Sequence, residues 1–339
     1  MNTRLVFAVL AALLLPAGTE ARFTLGGPQP PVLNIDGQVK FGPVLMLGAG
    51  EGEPWLSFEN TAASLLFSGR LPGSIGYLVH PAMAGGRFTL LECYASWQPA
   101  EMFGVVAGQQ KAPFGRVYNS SASRLLFGSR NPLAAFAPQY QLGVTPSFAP
   151  VTWLKLSAGA YNGNGPNRVN LDPGLLYAAS FEITPLGPVP TEESAHRGYD
   201  EPVVALIPGF WTNREEDVLH RVTTTAYGAH AALRWQFLAL DAAYYRRRVN
   251  TQVYHYFYED DIVTTDGLTA QGGYAFAGRY EPIARFTMVG LTAATMTVEA
   301  GFNWYFNSYA SRLGLNLVQV QAAGGEARRQ AGLYYEYQF

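Results

Sequence analysis

Apolar and polar residues alternate with a period of two along most of the chain, the pattern of strands with one greasy and one polar face. The C-terminal segment shows it most cleanly. Ala331, Leu333, Tyr335, Tyr337 and Phe339 share one parity, and Gln330, Gly332, Tyr334, Glu336 and Gln338 share the other. Upstream, Met296, Val298, Ala300, Phe302, Trp304 and Phe306 alternate with Thr297, Glu299, Gly301, Asn303 and Tyr305. Tyr227, Ala229, Ala231, Leu233, Trp235 and Phe237 alternate with Gly228, His230, Ala232, Arg234 and Gln236. The alternation marks segments over 34–47, 58–70, 73–81, 87–98, 101–111, 139–148, 152–161, 175–184, 202–211, 223–236, 238–249, 268–277, 281–290, 295–306, 308–320 and 329–339. Pro43 and Pro208 weaken the first and ninth, because proline cannot donate to a strand ladder.

The polar faces are rich in Gly, Ala, Ser and Thr, with isolated charges such as Lys155, Arg234, Arg285 and Glu299. A soluble sandwich would carry many charges there; a barrel lumen would not. The pattern therefore predicts an all-β fold, a transmembrane antiparallel up-and-down barrel of about 16 strands, with those four charges facing the lumen. Connection lengths agree. Leu71-Pro72, Pro99-Ala100, 149–151, Phe237 and Asn307 are tight, whereas 112–138, 162–174, 212–222 and 250–267 are long. Short periplasmic turns and longer external loops are the rule for such barrels. The segment 185–201 breaks that rule: it is long on the short-turn side, so either a strand is misplaced there or the turn is unusual.

Residues 1–21 read as a secretory signal peptide: Arg4, an apolar run from Leu5 to Leu15, and Ala21 at a plausible cleavage point. The rest of the chain, 22–339, reads as one barrel domain in the outer membrane. No later stretch is apolar and long enough for a membrane helix. Charged residues make up 14% of the 339 residues, against roughly 25% in ordinary soluble domains. A net charge of −2 offers no broad basic field for nucleic acid. With a single cysteine, Cys93, neither a disulfide nor a cysteine-based zinc site can form within the chain.

The charges are unevenly placed. No acid occurs from Met102 to Leu171, a window holding Lys111, Arg116, Arg124, Arg130, Lys155 and Arg168. Acids gather instead in 192–217 and 259–266. The five histidines show no paired ligand spacing, and there is no phosphate-binding loop or nucleophile elbow. No metal or cofactor is expected. The Arg246–Arg248 run at the outer rim is a candidate contact for lipopolysaccharide phosphates.

Three stretches resemble the phosphate-selective porin family, the O and P porins of Gram-negative outer membranes: GQQKAPFG (Gly108 to Gly115), NWYFNSYASRLGLNL (Asn303 to Leu317) and the tail from Gln330 to Phe339. The resemblance implies a 16-stranded homotrimeric channel for small anions. It also implies that the long loop after the fifth strand, 112–138, folds into the barrel. By motif only Lys111 carries over; Arg116, Arg124 and Arg130 join it as an anion path on charge grounds, since rings of Arg or Lys favour anions. Gly332, Tyr335, Tyr337 and Phe339 resemble the signal read by the barrel assembly machinery, with the aromatics facing lipid. Phosphate selectivity would need several converging cationic donors, and lysine is scarce here. The expected function is passive diffusion of small solutes, anions preferred, without catalysis. The alternatives are a plugged structural or adhesive barrel and, more remotely, an outer-membrane lipase using His80 or His220 as base.

Overall fold

The computed structural model describes residues 23–25, 31–47, 54–58, 62–84, 86–170, 173–216, 220–253, 259–290, 294–307 and 310–339; residues 1–21, expected to be a signal peptide, lie outside them. The strands are β1 (Phe23–Leu25), β2 (Val32–Phe41), β3 (Val44–Leu47), β4 (Trp55–Ser57), β5 (Ala62–Leu71), β6 (Ile75–Ala84) and β7 (Arg87–Ala100). Then follow β8 (Phe103–Lys111), β9 (Tyr140–Val151), β10 (Leu154–Tyr161), β11 (Leu176–Ile183), β12 (Val203–Glu216) and β13 (His220–Trp235). The last are β14 (Leu238–Val253), β15 (Glu259–Tyr274), β16 (Tyr280–Val289), β17 (Thr295–Asn307), β18 (Ser311–Gln321) and β19 (Arg328–Gln338).

From β5 to β19 each strand pairs antiparallel with the next. β19 then closes the ring on β2 and β3. β2 and β3 form one stave with a break at Gly42-Pro43, where the chain runs so close to β19 that a side chain on Gly42 would strike the Leu333 carbonyl. β4 and β5 pair with β3 and β2 as the second stave. The result is a closed barrel of 16 staves, with β1 lying beside β2 just beyond the end of β19. Closure is completed by mutual backbone hydrogen bonds between Gly37 and Phe339. The Phe339 ring covers Gly37, which has no Cβ to block it.

The barrel is inside out relative to a soluble protein. Along β17, Val298 is 52% exposed and its neighbour Glu299 only 3%. Phe302, Trp304 and Phe306 face outward, while Asn303 and Tyr305 are buried in the lumen. Lipid needs no polar partner, so the apolar parity faces out and every backbone group is satisfied by the closed ladder. Pro208 sits inside β12, opposite Ala229. On its other edge the β11 ladder has a gap between Ser180↔Gly209 and Ile183↔Leu206, where the missing proline donor does no harm.

Two of the expected long loops are largely strand. β12 to β15 run 14 to 16 residues, more than the ~9–11 that cross a bilayer. Threonines, valines and an isoleucine at 222–225, 249–251 and 262–265 keep pairing, as β-branched residues favour. Charged side chains pair across the β14–β15 hairpin: Arg246 Nε donates to Asp266 Oδ1 at 2.7 Å. Tight turns also shift slightly, to 101–102 and 152–153.

Candidate functional site: the narrowed lumen

A 16-stranded barrel encloses an aqueous lumen, so what fills it decides what passes. The stretch 108–115 turns the chain inward after β8. Gly108 lies at φ +129°, with the Cys93 carbonyl where a Cβ would be, and Gly115 at φ +65°, against the Tyr245 hydroxyl. Both positions require glycine. Between them Phe114 is buried with its ring 4.9 Å from that of Tyr245. Residues 112–139 then lie inside the barrel with a short helical turn, α1 (Arg116–Asn119), and two 3-10 turns at Ala122–Arg124 and Pro132–Phe136.

This inward loop docks on the wall from β12 through β19 and β2. Its free carbonyls are taken by wall side chains: Leu125 O by Arg312 (2.6 Å), Leu126 O by Asn303 (2.8 Å), Ser129 O by Arg285 (3.4 Å), Gly128 O by Lys40 and Phe136 O by Trp211 (2.8 Å). Leu126 and Phe127 are fully buried beside Ile283. The wall's charges are paired: Arg312 with Glu336 at 2.7 Å, Arg285 with Glu299 at 2.6 Å, and Arg234 with Asp241 at 2.8 Å, Asp241 also meeting His230 at 2.9 Å. Buried charges persist only when paired and hydrogen-bonded.

The connection 184–202, between β11 and β12, is long and on the same end as the two-residue turns. No strand is misplaced; the segment folds up into the lumen to meet the inward loop. Glu192, Glu193, Ser194, Ala195 and His196 are all buried. Glu193 Oε2 accepts from Leu126 N–H at 2.8 Å, and Glu193 N–H donates to Arg124 O at 3.0 Å. Arg116 donates to the carbonyls of Val189, Pro190 and Glu192. Ser194 donates to Glu281 at 2.6 Å, and the His196 ring stacks 4.8 Å from Tyr305. Burial, then Arg197 and Arg312, lowers the His196 pKa to about 4, so it is neutral at physiological pH. Burial lowers Arg116 from its ordinary value too, Asp241 opposing, and raises Tyr118 to about 12.

A cavity of about 270 Å³ opens against β9 to β12. Lys111, Arg116 and Lys155 line it with Glu182 as the one acid among its lining residues, together with hydroxyls including Ser157 and Ser180. Lys111 Nζ donates to Asn119 O and Ser120 O at 3.2 and 3.3 Å and sits over the Tyr118 and Tyr140 rings. Lys155 is exposed opposite Glu182.

The four cations expected to share one anion path are thus placed differently. Lys111 and Arg116 reach the cavity, but the Arg116 donors serve backbone carbonyls. Arg130 turns back to Tyr118 O and Ser120 O at 2.9 Å. Arg124 meets Thr191 Oγ1 at 3.0 Å and Glu192 at 3.8 Å. The physical reason is that a loop inside a barrel exposes carbonyls with no ladder partner, and arginine is the side chain that satisfies several at once. Arg234, Arg285 and Glu299 face inward, as their parity predicts, and are buried in ion pairs. Tyr335, Tyr337 and Phe339 lie on the parity opposite to the buried Tyr334 and Glu336, and Gly332 shares the inward parity of that buried pair. Tyr335 packs against Phe41 and Tyr337 against Phe339. Reading the sequence missed Lys40, Glu281, Arg312 and Glu336, although all four stood on the polar parity of a marked segment. Among the described residues no group of three His, Cys, Asp or Glu could hold a metal ion.

A comparison with curated proteins gives no match. Among solved structures, the chain resembles the trimer form of OmpT, an outer-membrane protein of Vibrio cholerae, with a TM-score of 0.61 at 12% identity over 91% of this chain and 99% of that one. It resembles an anion-selective porin from Comamonas acidovorans with a TM-score of 0.63 at 10% identity over 91% and 99% of the two chains. Salmonella typhi OmpF gives 0.62 at 14% identity over 91% and 98%. A family model described as phosphate-selective porin O and P matches residues 58–330, nearly the whole barrel. The chain is an outer-membrane β-barrel that belongs to the phosphate-selective porin O and P family.

Proposed function

We propose that this porin passes small anions by passive diffusion along the β9 to β12 side of its lumen, steered by Lys111 and Lys155. One observation carries the reading: the cavity against β9 to β12 is lined by three cations against a single acid. At an effective dielectric of about 20, a unit charge ~4 Å from an anion contributes roughly 4 kcal/mol before desolvation. Low-dielectric walls focus that field and raise the local anion concentration. Lysine is a compact, strongly hydrated point charge without a bidentate fork, which suits brief contact and passage over tight retention. No covalent step or cofactor enters this scheme.

A homotrimer is the working assembly of this reading, packed through the early strands, whose outer faces carry Leu65, Met83 and Trp97; the trimer form of OmpT supports it. Residues 1–21 serve as a removable signal, and Tyr335, Tyr337 and Phe339 as the assembly signal facing lipid. Zero-current potentials of the refolded protein in a salt gradient test the selectivity. Chloride preferred over potassium, with the preference weakened in Lys111→Gln and Lys155→Gln, is the expected result. A cation-preferring wild type would contradict it, and a folded barrel without conductance at any voltage would favour a plugged structural role.

A further inference from the structure

We propose that the connection 184–202 is the periplasmic half of the constriction and a specificity-determining element: it takes Arg116 out of the permeation path and neutralises Arg124. The inference rests on the channel reading above and names the residues that set its charge balance.

The connections at the same end of the barrel that join β5 to β6, β7 to β8, β9 to β10 and β13 to β14 are two or three residues long. They are by rule the periplasmic turns. Only 184–202 re-enters the lumen among the described connections of that end. Its entry is fixed by paired backbone bonds between Tyr199 and Gln236, at 2.8 and 2.7 Å, and its tip by bonds to both the inward loop and the wall. Arg234 Nη2 donates to Glu192 O at 3.1 Å, so one residue of the turn receives Arg116 and Arg234 on its carbonyl and Arg124 and Arg197 near its carboxylate. Val189 and Thr191 line the open cavity, and Thr191 is solvent-exposed there.

The consequence for permeation is arithmetic of charge. The inward loop brings Arg116, Arg124 and Arg130 into the lumen. The turn offers three carbonyls to Arg116 and the Glu192 carboxylate to Arg124, while Arg130 bonds within its own loop. Lys155 is left as the exposed cation of the cavity, with Lys111 lining it beside the carbonyls of Asn119 and Ser120. A guanidinium buried as that of Arg116 is, with its terminal nitrogens donating to three carbonyls, is poorly placed to meet a passing hydrated ion. Without the turn, the same arginines would face open water and the lumen would be wider.

The test uses the full-length refolded porin with Cys93→Ser as background. In the first variant Thr191→Cys is treated with a negatively charged methanethiosulfonate reagent, and labelling is checked by mass. The expected result is complete labelling, a stepwise fall in single-channel conductance and a shift of the zero-current potential towards cations. In the second variant residues 187–197 are replaced by a two-residue Gly-Ser turn, with heat-modifiable mobility on gels as the folding control. Conductance should rise several-fold and the preference for chloride should strengthen. No labelling of Thr191→Cys, or labelling with unchanged conductance, overturns the inference while leaving anion passage intact. So does a folded shortened variant with wild-type conductance and selectivity. A wild type that prefers cations fails the channel reading first, before either variant is compared.

Discussion

The two sides of this lumen are built from the same strand alternation and do opposite things. On the wall from β13 through β19 and β2, the inward parity carries Arg234, Arg285, Glu281, Glu299, Arg312 and Glu336, every one buried and held by a partner or by the inward loop. On the wall from β9 to β11, the same parity carries Lys155, Ser157, Ser180 and Glu182, exposed or half-buried around a cavity. Charge on a lumen face therefore has two fates. Where the inward loop and the 184–202 turn press against it, it becomes structure. Where they leave a gap, it becomes the field an ion meets.

Breaking one partner of a wall pair should have the largest effect. Arg312→Ala removes the guanidinium from a fully buried pair, leaving Glu336 with the Gln38 and Gln338 amides, and frees the Leu125 carbonyl. Loss of one partner of a buried pair costs about 3–5 kcal/mol, so the folded, heat-modifiable barrel should be lost or unfold at markedly lower denaturant. Lys155→Ala, on the open side, should unfold as the wild type does. Equal stability of the two variants would erase the contrast between the walls.

Acidification should loosen the filled side next. His196 is stacked on Tyr305, and Glu281 (through Ser194), Arg312 and Arg197 lie around it. Its pKa falls from 6.5 unfolded to about 4 folded, so the native state binds fewer protons than the unfolded one. That stability is fully present above pH 6.5 and is lost as the pH falls from 6.5 to about 4, a total of roughly 3 kcal/mol at ~1.4 kcal/mol per unit. Protease sensitivity of the 184–202 turn in the refolded porin should increase over that window and not above it. His196→Phe, which keeps the ring stack without the proton, should flatten the profile; an identical profile would place the titration elsewhere.

The fold was legible in the sequence because alternation is a local property: all 16 marked segments correspond to staves, and inward charges such as Arg285 and Glu299 follow from parity alone. The long strands β12 to β15 run past the marked segments, where side chains such as Arg246 and Asp266 pair across the hairpin, a contact that alternation within one strand does not encode. The site was less legible. Lys111 stood in a recognisable stretch, and the anomalous length of 185–201 was visible. Where that segment folds depends on tertiary contacts with residues such as Arg116 and Arg234, which no local pattern encodes. Arginines that bind carbonyls and arginines that bind ions look the same in a sequence.

A smaller effect separates the cations themselves. Arg130→Lys, which keeps the charge but not the planar guanidinium that lies over the Tyr118 ring and whose Nη1 donates to Tyr118 O and Ser120 O, should leave the zero-current potential unchanged and raise open-channel noise as the loop loosens. Lys155→Glu should reverse or strongly reduce anion preference with a quiet open channel. The opposite assignment would put Arg130 in the path and Lys155 outside it.

Thiol accessibility on the two walls tests the central claim most directly. In the Cys93→Ser background, single cysteines at Ser157 and Ser180 on the open wall and at Thr287 and Thr297 on the filled wall can be exposed to a charged methanethiosulfonate reagent during single-channel recording. Ser157→Cys and Ser180→Cys should be modified and lose conductance in discrete steps; Thr287→Cys and Thr297→Cys should remain silent. Block from the filled wall, or silence from the open one, would contradict a path that runs along β9 to β11.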